Sequence, residues 1–417
     1  MNASQLKKLM KFHRGFGIVL GILVLMWSLT GVLHPIMSAT QPQPAKRMPP
    51  FQQLHLEHAM PASQVLQQHS ITQFSTLQAI ELQPKLVAYR VLKPNQNSAE
   101  YYDSQTSQFI EHGEQHDAKR LALWYTGLAK EQIVSAKLIT EFSDDYPSVN
   151  RLLPVWRVSF DNGLRAYVDP SQSRLATLSN DQKMWMARIF RLGHTWTWGD
   201  QAWLGQTILM QIALIGILVL VVMGVGLFFK IHNRKNHRLR QKPSRFLHRY
   251  LAISLSVFIT LWLISGFYHV WQKKPADQNI QPIFNTQDLS LEAWQTATQQ
   301  PLQRLNLVPI ALNNAQAVAG WMVQFVGTPQ MQGSMTAVKE HDHHNQAKSA
   351  APTIELIDAK TSAKLDILEQ SKRLAANYLH IPAHQFTQSS WVTSFSGEYG
   401  FINKRLPVVK VETSLNN

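Results

Sequence analysis

The sequence predicts a membrane protein of mixed α+β class: three transmembrane helices and two α+β outer domains related by internal duplication. Three observations predict it. First, Ile18 to Leu33, Leu204 to Phe229 and Leu251 to Phe267 are apolar runs without a charged residue, each near or above the ~20 residues that cross ~30 Å of hydrocarbon. Second, basic residues crowd beside these runs. Third, the first run and parts of the polar sequence after it are written a second time further along the chain.

The net charge of the 417 residues is +14, which taken alone suggests a nucleic-acid partner. Its location argues otherwise. Lys7, Lys8, Lys11 and Arg14 share the first fourteen residues with no acid. Lys230, Arg234, Lys235, Arg238, Arg240, Lys242, Arg245 and Arg249 share the stretch 230–249, again with no acid. Positive charge packed against apolar helices marks cytoplasmic segments, and no nucleic-acid-binding motif accompanies it. The expected partner is membrane lipid, with no nucleic acid. The chain has no cysteine, which excludes disulfides, thiolate-ligated metal sites and iron–sulfur clusters.

The elements then follow in order. Residues 1–14 are a cytoplasmic N-terminus and 15–37 the first helix, running outward. Its apolar run exceeds the roughly 7–15 residues of a signal-peptide core, and its pattern recurs mid-chain, so it is expected to be retained. Residues 38–200 form a first outer domain and 203–230 the returning helix. Residues 231–249 are a basic cytoplasmic loop, 250–271 the third helix, and 272–417 a second outer domain.

Within the outer domains, YYDSQTSQFI (101–110), YVDPSQSRLA (167–176) and LIDAKTSAKL (356–365) each place an aspartate between two extended stretches. An aspartate side chain bonds the backbone two residues on, so these read as β-hairpins. SLEAWQTATQQ and LEQSKRLAANYL carry helical patterns. EFSDDYPSVNRLLPVWRV (141–158) returns as SFSGEYGFINKRLPVVKV (394–411) at an offset of 253.

The membrane repeat carries the chemistry. At an offset of 235, His13, Arg14, Trp27, Gly31 and His34 fall on His248, Arg249, Trp262, Gly266 and His269. Each helix thus has two histidines 21 residues apart, about 32 Å at 1.5 Å per residue, and on about the same face because 21 is three heptads. Both helices run outward, so His13 matches His248 in depth on the inside and His34 matches His269 on the outside. Two imidazoles offered at one depth are the ingredients of bis-histidine haem ligation. A lone histidine at a membrane interface is an ordinary polar anchor; four at matched positions argue for ligands. Zinc or copper fits less well, because two imidazoles leave either ion under-coordinated. Gly17, Gly21, Gly31 and Gly266 are small enough to admit a flat macrocycle or a close helix approach.

His194, just before the second helix, lies at the outer level and is a further candidate ligand. His232 is a spare one inside. Trp27 and Trp262 read first as packing residues and second as an electron relay. His341, His343 and His344, in EHDHHNQ, form a weak candidate metal site, with a solvated loop as the plainer reading. The chain has no G-x-G-x-x-G loop, no P-loop and no H-E-x-x-H, so reducing equivalents are expected from membrane quinol or a cytoplasmic reductant.

The FHR…WxxTGxxH helix, the LPVWRVSF…AYVDPSQSRL hairpin and RLGHTWTW together resemble the PepSY-associated transmembrane proteins of Gram-negative inner membranes. The resemblance spans nearly the whole chain. It implies haem b (one or two) held by His13, His34, His194, His248 and His269, an activity of ferric-siderophore reductase type, and a ferric siderophore or other periplasmic iron chelate as partner. Against the family pattern, the second copy stops at Asn417, short of the counterpart of the last helix, as expected of a member without that helix or of a fragment. The alternative from a different class is a non-enzymatic PepSY membrane module that binds peptides or restrains a periplasmic peptidase. A third reading, a metal-binding accessory, depends on His341, His343 and His344.

Overall fold

The computed structural model describes residues 3–196, 203–232, 243–271, 281–313, 316–326, 354–379, 381–392, 399 and 408–414. The chain divides into two compact units, one of Met1–Gln41 with Asp181–Gln278 and the other of Pro42–Asn180 with Asn279–Asn417.

The chain enters through α1 (Ala3–Thr40). In lipid, every backbone polar group must bond within the segment, which makes a helix obligatory here. Its few hydroxyls obey the same rule, Ser28 Oγ and Thr30 Oγ1 donating to the carbonyls of Val24 and Met26 at 2.8 and 2.7 Å. The β-rich unit begins with α2 (Ala62–Gln68), β1 (Gln73–Phe74), β2 (Thr76–Gln83), β3 (Leu86–Leu92) and β4 (Glu100–Asp103). Next come α3 (Gly113–Thr126), β5 (Ile133–Ile139), β6 (Val155–Phe160), β7 (Arg165–Asp169) and β8 (Arg174–Ser179). The chain returns to the membrane unit through α4 (Asp181–Phe190), a π turn at Arg191–Thr195, α5 (Trp203–His232) and α6 (Pro243–Trp271). The second half of the β-rich unit holds β9 (Phe284–Asn285), α7 (Leu291–Ala297), β10 (Leu302–Asn313), β11 (Gln316–Phe325), β12 (Ile354–Asp358) and β13 (Lys364–Leu365). It closes with α8 (Ile367–Leu379), β14 (Phe386–Val392) and β15 (Val408–Thr413).

Among the described residues, α1, α5 and α6 are long and apolar enough to cross a membrane. The second helix packs on both of the others. Residues 181–196, which the sequence reading groups with the first outer domain, cluster with the membrane helices instead.

The aspartate hairpins form for the anticipated reason. Asp103 Oδ1 accepts from the backbone N–H of Gln105 and Thr106 at 2.8 and 2.9 Å. Asp358 Oδ1 accepts from Lys360 and Thr361 at 2.9 and 2.8 Å, and Asp169 Oδ1 from Ser171 at 3.0 Å. The sequence repeat is also a structural one: β5 and β6 return as β14 and β15 at the offset of 253 (386 − 133 and 408 − 155).

The two anticipated domains are not separate. A seven-stranded antiparallel sheet runs in the order β13-β12-β11-β10-β2-β3-β4, and its seam is the pairing of β2 with β10, Ala79 opposite Leu305 and Gln78 opposite Asn306. A second joint pairs β1 with β9, Phe74 opposite Phe284. The physical reason is the sheet edge: each half alone exposes a row of unpaired backbone groups, and joining two such edges removes both. One core spans the seam, with Leu77 and Tyr89 from one half and Leu305 and Trp321 from the other.

A four-stranded sheet, β5-β6-β7-β8, packs Val158, Ala166 and Val168 on Leu121, Ala122 and Tyr125 of α3. A buried carboxylate binds this layer to the larger sheet. Glu114, in the first turn of α3, meets Arg90 of β3 at 2.6 Å, both side chains being 5% exposed. It also accepts from Ser98 Oγ, the Ala99 N–H and Trp156 Nε1 at 2.7, 3.0 and 3.3 Å. Removing one member of a buried pair strands the other, at about 3–5 kcal/mol. Glu114→Ala should therefore lower stability by roughly that amount, read as a drop in the thermal or urea midpoint of the detergent-solubilised protein. A change within experimental error would show that the pair contributes nothing to the fold.

Candidate functional site

Within the membrane unit the histidines gather at two levels, and the first is built around the π turn after α4. Single π turns are frequent at functional sites, and this one carries His194. Two glycines make room for it. A Cβ at Gly193 would stand 2.6 Å from Thr30 Cγ2, and one at Gly31 would stand 3.1 Å from His194 Cε1. The imidazole therefore lies directly on α1, where Nδ1 meets the Trp27 carbonyl oxygen at 3.1 Å. A carbonyl only accepts, so Nδ1 carries the proton and Nε2 keeps its lone pair. That is the arrangement of a ligating histidine whose orientation is fixed from behind.

Phe190 links this ring to His34. It stacks on His194 with centroids 4.8 Å apart, and its centroid lies 5.7 Å from that of His34. His34 itself is exposed on the helix surface. His269 sits in the last turn of α6 and His232 at the end of α5, but their side chains fall outside the described residues.

A tryptophan cluster lies one to two turns below. Trp27 is buried, stacked on Trp196 at 5.2 Å and edge-on to Trp262 at 5.6 Å. Trp196 holds a left-handed backbone (φ 53°), a costly conformation for a bulky side chain. It is fastened there by its own Nε1 donating to the Gly193 carbonyl at 3.2 Å and by Gln206 Nε2 donating to its carbonyl.

The second level is at the other end of the helices. His13 is partly buried against α5, its Cε1 only 3.2 Å from where a Cβ on Gly224 would stand. His248, on α6, lies within electrostatic range of it and is exposed. The adjacent Arg249 donates to the Phe228 carbonyl at 3.0 Å and lies 5.0 Å from that ring, which fastens α6 to the end of α5. His13 and His248 are thus within electrostatic range of each other, while the Phe190 ring stands between His34 and His194.

Haem, the group the sequence implies, fits this donor set. His194 presents a free Nε2 with its tautomer fixed. His13 Nδ1, Trp27 Nε1 and both amide atoms of Gln211 are buried without a partner among the described residues. Such groups cost about 1–3 kcal/mol each unless something meets them.

Of the small residues noted in the sequence, Gly31 admits His194, Gly17 and Gly266 contact Leu220 and Leu214 of α5, and Gly21 meets nothing within 4 Å. His341, His343 and His344 lie outside the described residues, within which no group of three or more metal-ligating side chains occurs. Sequence reasoning missed Phe190, Trp196, Gln211 and Gly224. The tryptophan alone had a signal, standing two residues after His194.

A family model described as PepSY-associated TM region matches residues 10–384. No curated protein and no solved structure matches the chain.

The absence of cysteine makes the geometry directly testable. A His13→Cys/His248→Cys double variant should be captured in high yield by a short thiol cross-linker in membranes. His34→Cys/His248→Cys, at opposite levels, should not react. Equal yields for the two pairs would contradict the two-level arrangement.

Proposed function

The chain belongs to the PepSY-associated transmembrane family, and from that premise we propose that it is a haem-b-containing membrane reductase acting on a ferric chelate. The observation that carries this reading is His194 held by the Trp27 carbonyl in the tautomer a ligand needs, with Phe190 linking it to His34 and with His248 within electrostatic range of His13 at the other end of the helices.

His13 and His248 would hold the group at the inner level. His34 and His194 would do so at the outer one, with His269 at the same level by sequence. Bound there, haem supplies one-electron exchange at a potential set by its ligands and burial. The chain's own residues orient and insulate. The Trp27 carbonyl fixes one imidazole, Phe190 separates two rings, and the apolar bundle excludes water. Trp27, Trp196 and Trp262, in mutual contact through Trp27, offer aromatic positions between the levels.

The basic segments beside the helices support a cytoplasmic N-terminus and an inner-membrane location, with the β-rich unit on the periplasmic side. Quinol or a cytoplasmic reductant would be the electron source. The substrate would be a ferric siderophore or similar chelate, because iron(II) is held less tightly than iron(III) by hard oxygen donors and is released on reduction.

The test is a reduced-minus-oxidised absorption spectrum of detergent-solubilised protein from haem-replete cells. A b-type spectrum is expected. His194→Ala should remove the outer centre and His13→Ala the inner one, each lowering haem content by about half if two are bound. A colourless wild-type protein would overturn the proposal. Unaltered function on replacing all four helix histidines would return the chain to the alternative, a non-enzymatic PepSY module acting on peptides or a peptidase.

A further inference from the structure

The β-rich unit contains a cavity of about 530 Å³, within the range of small-molecule sites. It lies over the seam where β2 pairs with β10. Its floor is one face of the sheet, and its roof includes the segment 48–52 and the turn at 171–173. Gln78 ties roof to floor, donating from Nε2 to the Ser171 carbonyl at 2.9 Å.

Strand alternation sorts β10 into two faces. Leu305 and Leu307 are buried in the core, while Arg304 and Asn306 line the cavity. A register irregularity between Leu302 and Arg304 lets Gln303 line it as well; such bulges commonly redirect a side chain beside a site.

Arg304 is the unusual member. It is partly buried, and desolvation pushes its guanidinium below its ordinary pKa. Among the described residues it has no ion pair and no hydrogen-bond partner, and neither does Asn306. Gln303 is bonded through its oxygen, which accepts from Gln324 Nε2 at 3.1 Å, leaving its NH₂ group to give. A cation drawn partly out of water without a counter-ion is costly. Here it stands among amide donors, with Met48, Phe51 and Met322 supplying apolar wall.

We propose that this seam cavity is a binding site for a small di- or tricarboxylate, held by Arg304 with Gln303 and Asn306. The planar guanidinium fork matches a carboxylate in two-pronged geometry. The flanking amides supply further donors, and the volume exceeds what a monocarboxylate fills. Phosphate is the poorer match, because the sheet's N–H groups are spent in its ladder and form no backbone nest. The inference is independent of the redox reading, since none of the candidate haem ligands belongs to this unit.

The experiment is isothermal titration of the detergent-solubilised full chain with citrate and with succinate. At least one should bind, and Arg304→Gln should weaken that binding tenfold or more. Lys85→Gln, an exposed cation outside the cavity, should leave it unchanged. A thermal melt without ligand checks that the variant is folded. Should Arg304→Gln fail that check, Arg304→Lys keeps the charge without the fork and should still weaken binding measurably. No binding of either acid, or equal binding by wild type and a folded Arg304 variant, overturns the proposal.

Discussion

The membrane unit depends on one hydrogen bond, from His194 to the carbonyl of Trp27. An imidazole N–H left unmet among apolar helices is costly, and the abundant acceptors there are backbone carbonyls. Reaching one requires the ring to lie close against α1, and glycines at 31 and 193 remove the Cβ atoms that would prevent it. Once the π turn is pinned, Trp196 follows two residues later and its indole lands on Trp27. Trp27 in turn meets Trp262 on α6. A single donor–acceptor pair therefore coordinates the π turn, α1 and, through one more ring, α6.

The β-rich unit obeys a different constraint, the intolerance of sheets for open edges. Duplication supplied two half-sheets, and the pairing of β2 with β10 disposes of one edge from each. The same seam makes a concave surface that neither half has alone, with Gln78 contributed by the first copy and Arg304 and Asn306 by the second. Sites at junctions between structural units are common for this reason. Glu114 performs the joining on the other side of β3, where it gathers donors from β3, from the segment before β4, and from β6.

What the sequence disclosed and what it hid divide along the same physical line. Local signals were legible. Long apolar runs can only be helices in lipid, and Asp103, Asp169 and Asp358 could be read as turn-formers because each bonds a backbone group two residues away. The repeat at offset 253 reached β6 and β15, and the structure extends it to β5 and β14. Long-range consequences were not legible. Nothing in the period of β2 says that its free edge meets a strand more than two hundred residues later. The π turn has an ordinary helical pattern in sequence, so the placement of His194 against Gly31 required coordinates. Gly224 was invisible because its importance lies in the ring it faces, and Arg304 because a strand arginine is unremarkable until its lack of a partner is seen.

That last distinction separates scaffold from site across the molecule. Arg90 is buried but matched by Glu114, Arg157 by Asp145, and Arg174 by Asp169; each charge is compensated within the fold and explains itself. Arg249 is matched by the Phe228 carbonyl. Single atoms such as Arg90 Nε and Arg157 Nε still lack a hydrogen-bond partner among the described residues, so an unmet group, which costs stability, is informative chiefly where a cavity or a candidate ligand stands beside it. In the membrane unit such groups, among the described residues, are His13 Nδ1, Trp27 Nε1 and the Gln211 amide. In the β-rich unit, the guanidinium of Arg304 is one that borders a cavity of ligand size. Each unit thus carries its own unmet groups in its own chemistry, imidazole and amide in the bundle and a cationic fork at the sheet seam.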